Sequence, residues 1–351
     1  MKDKNLNSMI FLTIGEKSYM NKRISIIIPN YNGSSTIGKC LEAAFSSRYD
    51  NLEVIVVDDC STDNSVEIIK KFPCKLIQLE KKSGASKARN IGAQNSKGVI
   101  LFFIDADCIL QEDTLALVNK SFSEVENIAI GGTYTKIPYD DRFFSTFQSI
   151  FINYSETKKE EPDYIATHAM SVDPDTFSKL GGFSENFLPI LEDVEFSHRL
   201  RRSGLKLIIN PEILVQHIFN FTLIKSLRNA FRKSMYWTIY SLKNKDLLAD
   251  SGTASFELKT NVACFFLNIL LITLFFYYKN TGFLVTILLI SVTNIFASRG
   301  LFISFYKSKG FSFAIIAALY YTLIYPLAVG TGAFSGILKY IWIYKIKQGH
   351  V

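Results

Sequence analysis

Past Glu257 the chain contains no acidic residue, and its only remaining charges are Lys259, Lys279, Arg299, Lys307, Lys309, Lys339, Lys345 and Lys347. Those eight cations exceed the whole-chain net charge of +7, which leaves residues 1–257 with a net charge of −1. Within this tail the stretches 261–278, 281–298 and 311–338 carry no charge at all. A helix that crosses a bilayer needs about 20 largely apolar residues, and about 17 at the least. The first two stretches are just long enough; the third exceeds one crossing and is short for two. A buried core helix meets the same test singly, but three such stretches in succession point to a membrane domain over 258–351 with about three or four hydrophobic segments. A basic balance confined to that tail argues against a nucleic-acid groove in the rest of the chain.

Arg299, Lys307 and Lys309 separate the second and third stretches, and Lys345 and Lys347 follow the third. If positive charge stays cytoplasmic, the N-terminal domain, the 299–310 loop and the C-terminus all face the cytoplasm. An even number of crossings follows. The third stretch then crosses out and back, or forms a re-entrant hairpin, breaking at Pro326 and Gly330-Thr331-Gly332. Gly332 and Gly336 have the spacing of a close helix-packing site. The apolar run 9–14 is too short for a signal-peptide core and no small-residue cleavage site follows it; residues 1–22 read as an extension, with Met20 an alternative start. The five cysteines form no C-x-x-C pair, which fits a reduced compartment. The expected location is a multi-pass cell-membrane protein with its N-terminal domain in the cytoplasm.

That domain alternates. Strand patterns at 24–28, 53–58, 75–79 and 99–104 are separated by helical patterns at 36–47, 63–72 and 85–96. The rhythm predicts an α/β fold, a Rossmann-like, mostly parallel sheet with helices on both faces, followed by the transmembrane helices. Ligands of such sheets bind outside the carboxyl ends of the strands. Three of those ends carry Pro29-Asn30-Tyr31-Asn32, Asp58-Asp59-Cys60-Ser61-Thr62-Asp63 and Asp105-Ala106-Asp107. Asp105 and Asp107 sit at i and i+2, hence on one face of an extended chain. Paired carboxylates suit Mg²⁺ or Mn²⁺, which reach proteins through one or two carboxylates plus substrate phosphates. No phosphate loop and no dinucleotide fingerprint is present.

These segments, with Gly84-Ala85-Ser86-Lys87-Ala88-Arg89-Asn90, then Gly181-Gly182-Phe183-Ser184-Glu185 and Glu192-Asp193, resemble in order and spacing the family 2 glycosyltransferases of GT-A fold. The resemblance covers about residues 24–217, so that 23–217 reads as the catalytic domain. It implies a nucleotide-sugar donor, taken as a UDP-sugar, held by Pro29, Tyr31, Asp58, Asp59, Arg89 and Asp105. Tyr31 is expected near the base, Asp59 to accept its imide N–H, and Arg89 near the ribose or diphosphate. Asp107, with Asp105 assisting, is expected to hold Mn²⁺ or Mg²⁺ as a Lewis acid against the leaving diphosphate. Asp193 is the candidate general base, with the neighbouring Glu192 as alternative or partner, and a single displacement implies inversion. Some members place a histidine where His217 stands as a further metal ligand, others do without it; a lone histidine after a strand is equally a structural residue. His168, His198 and His350 carry no assignment.

Residues 218–257 mix Phe221, Leu227, Phe231 and Trp237 with Lys225, Arg228, Arg232 and Lys233. Such a basic amphipathic linker can lie in the headgroup layer against membrane lipids, or be the last helix of the catalytic domain. The reading is therefore a membrane-anchored, metal-dependent, inverting transferase acting on a hydroxyl of a lipid-linked or membrane-proximal glycan in cell-envelope polysaccharide or glycolipid synthesis. Two alternatives stay open: a polyprenyl-phosphate glycosyltransferase, whose acceptor needs no base, and a catalytically inactive membrane scaffold.

Overall fold

The computed structural model describes residues 21–342 apart from 160 and 187. The apolar run 9–14, Met20, Lys345, Lys347 and His350 lie outside the described residues. The chain opens with β1 (Ile24–Asn30), α1 (Ile37–Phe45), β2 (Leu52–Asp58), α2 (Ser65–Ile69), β3 (Lys75–Gln78), α3 (Ala85–Gln94) and β4 (Ile100–Phe103), the expected alternation with shorter helices. It continues through β5 (Cys108–Leu110), α4 (Thr114–Glu124), β6 (Ile128–Tyr134), α5 (Phe143–Thr157), β7 (Met170–Val172), α6 (Pro174–Lys179), α7 (Glu192–Arg202) and β8 (Lys206–His217).

All eight strands join one sheet in the order β3-β2-β1-β4-β7-β6-β8-β5. The four strands read from the sequence run parallel. Beyond them the sheet is mixed: β7 is antiparallel to β4 and β6, β6 runs parallel to β8, and β5 is antiparallel to β8. Only residues 104–107 separate β4 from β5. A parallel return needs a crossover of a dozen or more residues, so β5 goes instead to the far edge. Both sheet faces are covered. Ile24, Ile26 and Ile28 of β1 enter one core with Phe102 of β4, whereas Ile27 enters the other with Leu101 and Phe103. This two-sided burial is why those strands read as unbroken apolar runs.

The C-terminal part comprises α8 (Leu223–Asn244), α9 (Phe256–Tyr278), α10 (Gly282–Ala297), α11 (Arg299–Leu319) and α12 (Tyr325–Ile341). The chain is not broken at Gly330-Thr331-Gly332, which stay helical. It bends at Gly310, whose φ of 79° and ψ of −176° interrupt α11, and widens into a π-helical stretch at Tyr320–Ile324 just before Pro326. Proline lacks the N–H and crowds the carbonyl four residues back, and a π turn absorbs both defects.

The third apolar stretch is partly packed inside the protein. Phe147 of α5 packs on Phe305, Tyr320 and Tyr325, with ring centroids 5.4, 4.8 and 5.4 Å away. One continuous core thus runs from the sheet into α11 and α12. The linker helix α8 lies lengthwise on α12: a Cβ on Gly332 would stand 2.4 Å from the Phe231 carbonyl oxygen, and one on Gly336 2.6 Å from that of Met235. The small-residue pair therefore admits the backbone of α8 itself. By contrast α9 and α10 turn Leu267, Leu270, Phe276, Leu288, Leu289 and Val292 outward. Two of their asparagines point inward, where the Asn294 amide donates to Asn261 Oδ1 (2.8 Å) and Asn261 donates to the Tyr321 carbonyl (2.7 Å). Two helical runs, Phe256–Tyr278 and Arg299–Ile341, are long and apolar enough to cross a membrane, and Gly282–Ala297 is apolar but shorter.

Candidate active site

The carboxyl ends of β1, β2 and β4 converge on a cleft of about 480 Å³, lined among others by Pro29, Tyr31, Asp59, Arg89, Asp105, Asp107 and His217. Two crossing turns shape its rim. Asn32 (φ 50°) and Cys60 (φ 63°) both adopt left-handed backbone, and the turns exchange bonds: Asn32 N–H donates to Ser61 Oγ and Thr62 N–H to Asn32 Oδ1, each at 2.8 Å. Asp58 holds them from below. Its carboxylate accepts from Asn30 Nδ2 (2.7 Å), Ser61 N–H (3.0 Å) and Ser61 Oγ (2.6 Å). It is buried and absent from the cleft lining, with its oxygens engaged by the turn.

Asp59 does face the cleft. Its two oxygens accept from the N–H groups of Ser83 (2.6 Å) and Gly84 (2.8 Å) at the entry to α3, and each retains capacity for another donor. Tyr31 is 43% exposed, with the Lys82 ammonium 3.6 Å from its ring centroid. An open aromatic ring with a cation beside it is a stacking platform.

Arg89 lines the same cleft. It is buried, and its two terminal nitrogens are both taken: Nη2 donates to Asp105 Oδ1 (2.6 Å) and Nη1 to Glu192 Oε1 (2.7 Å). The fork therefore ties the end of β4 to the start of α7, a geometry a lysine cannot copy. The neighbouring Asn90 anchors the Gly-Gly-Phe loop, donating to the Phe183 carbonyl and accepting from its N–H, both at 2.8 Å. Gly182 has φ of 62°, and a Cβ there would stand 2.6 Å from Asn90 Oδ1. On the other side Arg199 of α7 donates to the carbonyls of Gly182 and Leu180 while paired with Glu195. Consecutive residues of α3 thus fix both the carboxylate motif and the loop before α7.

Antiparallel pairing of β5 with β8 sets Cys108 opposite His217, which delivers His217 Nε2 to 3.4 Å from Asp107 Oδ1. The imidazole stacks on Phe219 (centroids 3.9 Å) and meets the edge of Tyr134 (5.0 Å). Cys108 lies close enough to complete a three-residue cluster. Burial, reinforced by the Asp107 and Asp105 charges, drives its thiol far above the ordinary range, so it stays protonated and ligates poorly. What faces the cleft is a carboxylate and imidazole set, with Asp105 alongside. Desolvation pushes the Asp107 carboxyl up and the Asp105 charge adds to it, with His217 only partly offsetting them. Desolvation likewise opposes ionisation of Asp105, but Arg89 outweighs it and holds that carboxyl below its usual value. Burial keeps His217 below its usual value despite both aspartates, so the ring is neutral and able to ligate. Such O and N donors can hold a divalent cation.

Glu192 and Asp193 open α7 behind Leu191, a buried residue in left-handed conformation (φ 77°). A bulky residue there is an outlier that stores strain. Asp193 Oδ1 accepts from Val194 N–H (2.8 Å). Burial and then the Glu192 charge raise its carboxyl to about 6, against weaker pulls from Arg89 and Lys233. Neither acid lines the 480 Å³ cleft; they stand beyond the Arg89 guanidinium. Sequence reasoning missed Lys82, Tyr134, Phe219 and Leu191. Lys82 could have been found as a cation before Gly84, but the other three depend on tertiary pairing and backbone strain that leave no local signal.

Residues 25–176 match the sequence profile described as Glycosyl transferase family 2. Glycosyltransferase GlyG of Streptococcus pneumoniae is 32% identical over 131 residues, covering 36% of this chain and 44% of that protein. A glycosyltransferase of Haemophilus influenzae is 31% identical over 190 residues, covering 50% of this chain and 61% of its own. The chain therefore spans about half the length of these curated relatives. Among solved structures, the mannosyltransferase PcManGT of Pyrobaculum calidifontis, in complex with GDP-Man and Mn²⁺, is similar with a TM-score of 0.57 at 16% identity, covering 92% of this chain and 88% of that one. That likeness is one of fold. The fold is GT-A, with a sheet that is mixed rather than purely parallel.

Proposed function

We propose, since residues 25–176 match the Glycosyl transferase family 2 profile, that the cleft moves a sugar from a nucleotide-sugar donor, a UDP-sugar, to a hydroxyl of a lipid-linked or membrane-proximal acceptor. The observation that carries this reading is the Arg89 bridge between Asp105 and Glu192, which joins the donor side of the cleft to the start of α7. Tyr31 offers a face to the base and Asp59 a carboxylate to its N–H. Asp107 and His217, with Asp105, would hold Mn²⁺, which when bound offsets charge on the departing nucleoside diphosphate.

Asp193 is the base. As the acceptor oxygen bonds to the anomeric carbon, its proton passes to the Asp193 carboxylate. The bond from that carbon to the diphosphate oxygen breaks, and the electron pair leaves with the nucleoside diphosphate. Attack opposite the leaving group inverts the anomeric centre. Arg89 acts as a positioning residue, keeping Glu192 and thereby α7 at a fixed distance from Asp105. Outward apolar side chains on α9 and α10 support anchoring in a bilayer, because monomers in water rarely expose contiguous apolar patches beyond a few hundred Å². Cytoplasmic orientation of the catalytic domain follows from Arg299, Lys307 and Lys309. Calorimetric titration of UDP with and without Mn²⁺ tests the donor side. Tighter UDP binding with Mn²⁺, lost in Asp107→Ala, supports it; UDP binding indifferent to both overturns it.

A further inference from the structure

Cys108 and His217 are cross-strand partners in the antiparallel pair of β5 and β8. Side chains directly opposite each other project from one face of a sheet with Cβ atoms about 4.5–5.5 Å apart, close enough for both to reach a single ion. Asp107, the residue before Cys108, turns its carboxylate to the same point. Its Oδ1 stands 3.4 Å from His217 Nε2 and 3.8 Å from Cys108 Sγ, and one donor atom from each of the three residues lies within 4.8 Å of the others. Asp105 is outside this set, with its Oδ1 accepting from Arg89 (2.6 Å).

Those spacings are edges of a tetrahedron. Zinc bonds of about 2.1 Å to nitrogen and oxygen and about 2.3 Å to sulfur, at tetrahedral angles, set donor separations of about 3.4 Å for N to O and about 3.6 Å for S to O. The observed 3.4 and 3.8 Å agree with them to within about 0.2 Å. Three protein donors leave the fourth corner for water or a phosphate oxygen, the arrangement of a catalytic rather than a structural zinc site. Softness points the same way. A hard cation gains little from sulfur, so Mn²⁺ leaves the Cys108 thiol protonated. Zn²⁺ deprotonates a coordinating thiol outright, and the proton passes to the solvent. The imidazole is already held, stacked on Phe219 and against Tyr134, so binding orders little that was free.

We propose that Asp107, Cys108 and His217 form a tetrahedral site for a thiophilic divalent cation, Zn²⁺, which excludes Mn²⁺ from the cleft by taking two of its ligands. The zinc site stands on the donor geometry alone; the competition rests on the transferase reading, in which Asp107 and His217 serve Mn²⁺. Cys108 is then the residue that decides which metal the cleft prefers. Two other thiols serve as controls. Cys40 Sγ donates to the Asp105 carbonyl (3.7 Å) and Cys60 lies in the rim turn, and neither belongs to the donor set.

The test uses the full chain in detergent, with Co²⁺ as a spectroscopic stand-in for Zn²⁺. Co²⁺ should saturably give a near-ultraviolet thiolate-to-cobalt charge-transfer band and the strong visible bands of a four-coordinate ion, and Zn²⁺ should erase both. Cys108→Ser should lose the charge-transfer band and weaken Zn²⁺ binding roughly tenfold or more, whereas Cys40→Ser and Cys60→Ser should keep both. In a paramagnetic titration of the same samples, Zn²⁺ should displace Mn²⁺ from the wild type at concentrations roughly tenfold or more below those needed for Cys108→Ser. Mn²⁺ binding retained by Cys108→Ser shows that this variant is folded. A wild type without the band overturns the proposal whatever the variants do, and so does a band that survives Cys108→Ser or is lost in either control. A band without Mn²⁺ binding leaves the zinc site standing and removes the manganese of the transferase reading. Mn²⁺ binding without a band removes the zinc site alone.

Discussion

Asp193→Asn should move activity and stability in opposite directions. The folded structure raises the Asp193 carboxyl from 3.8 to about 6. Below pH 4 the group is protonated in both the folded and unfolded chain, so it contributes no difference. Between pH 4 and 6 the unfolded chain releases a proton that the folded chain keeps, and stability falls as pH rises. At about 1.36 kcal/mol per pH unit, the full shift costs the fold as much as about 3 kcal/mol at pH 7. Asparagine keeps the shape and the acceptor oxygen for Val194 N–H without ionising. Its melting temperature should therefore exceed that of the wild type by several degrees at pH 7.5, with the gap narrowing as pH falls and closing below pH 4. Activity should do the reverse. A general base contributes about 10²–10⁴-fold, so the variant should lose that much in kcat/KM. The wild type should show an acid limb near pH 6 that the variant lacks. A variant that is active within a few-fold of the wild type refutes the base assignment and favours an acceptor that is already ionised. A variant that is less stable at pH 7.5 refutes the desolvation argument.

Arg89→Lys keeps the charge but cannot span Asp105 and Glu192; a loss of about 1–3 kcal/mol and at least tenfold in kcat is expected, read by melting and steady-state rates. Asp107→Ala should abolish saturable Mn²⁺ binding in a paramagnetic titration, whereas Cys108→Ser should leave it intact. Gly336→Val drives a side chain into the Met235 carbonyl, 2.6 Å from a Cβ. It should cost about 1–3 kcal/mol, seen as a lowered melting temperature in detergent with the UDP affinity of the remaining folded protein unchanged.

β1, β2 and β4 were legible because each is buried on both faces, leaving runs such as Ile24–Asn30 that no amphipathic helix would show; the half-exposed β3 was legible only from the alternation around it. Asp105 and Asp107 were legible from the local Asp-Ala-Asp sequence after an apolar run, although β4 ends at Phe103 and both lie in the connection that follows it. Arg89 was legible as a functional position but not in its geometry, because Glu192 stands 103 residues further along the chain. The neighbours of His217 depend on pairing with Cys108 at the far edge of the sheet, which no periodicity encodes. The sheet's mixed half was hidden for the same reason. In the tail, charge-free length marked the apolar helices, but length does not distinguish a face left exposed from one packed on Phe147. Gly332 and Gly336 announced a close approach without naming α8 as the partner.

A transferase cleft must break the bond between a sugar and a nucleoside diphosphate. The decisive measurement is release of nucleoside diphosphate from a panel of nucleotide sugars, with Mn²⁺, in the presence and absence of a membrane lipid extract. Release from one donor that requires both metal and lipid, and disappears in Asp107→Ala, is the predicted result. Nucleoside diphosphate released at the same rate by Asp107→Ala, or released from no donor with lipid and metal supplied, would contradict it.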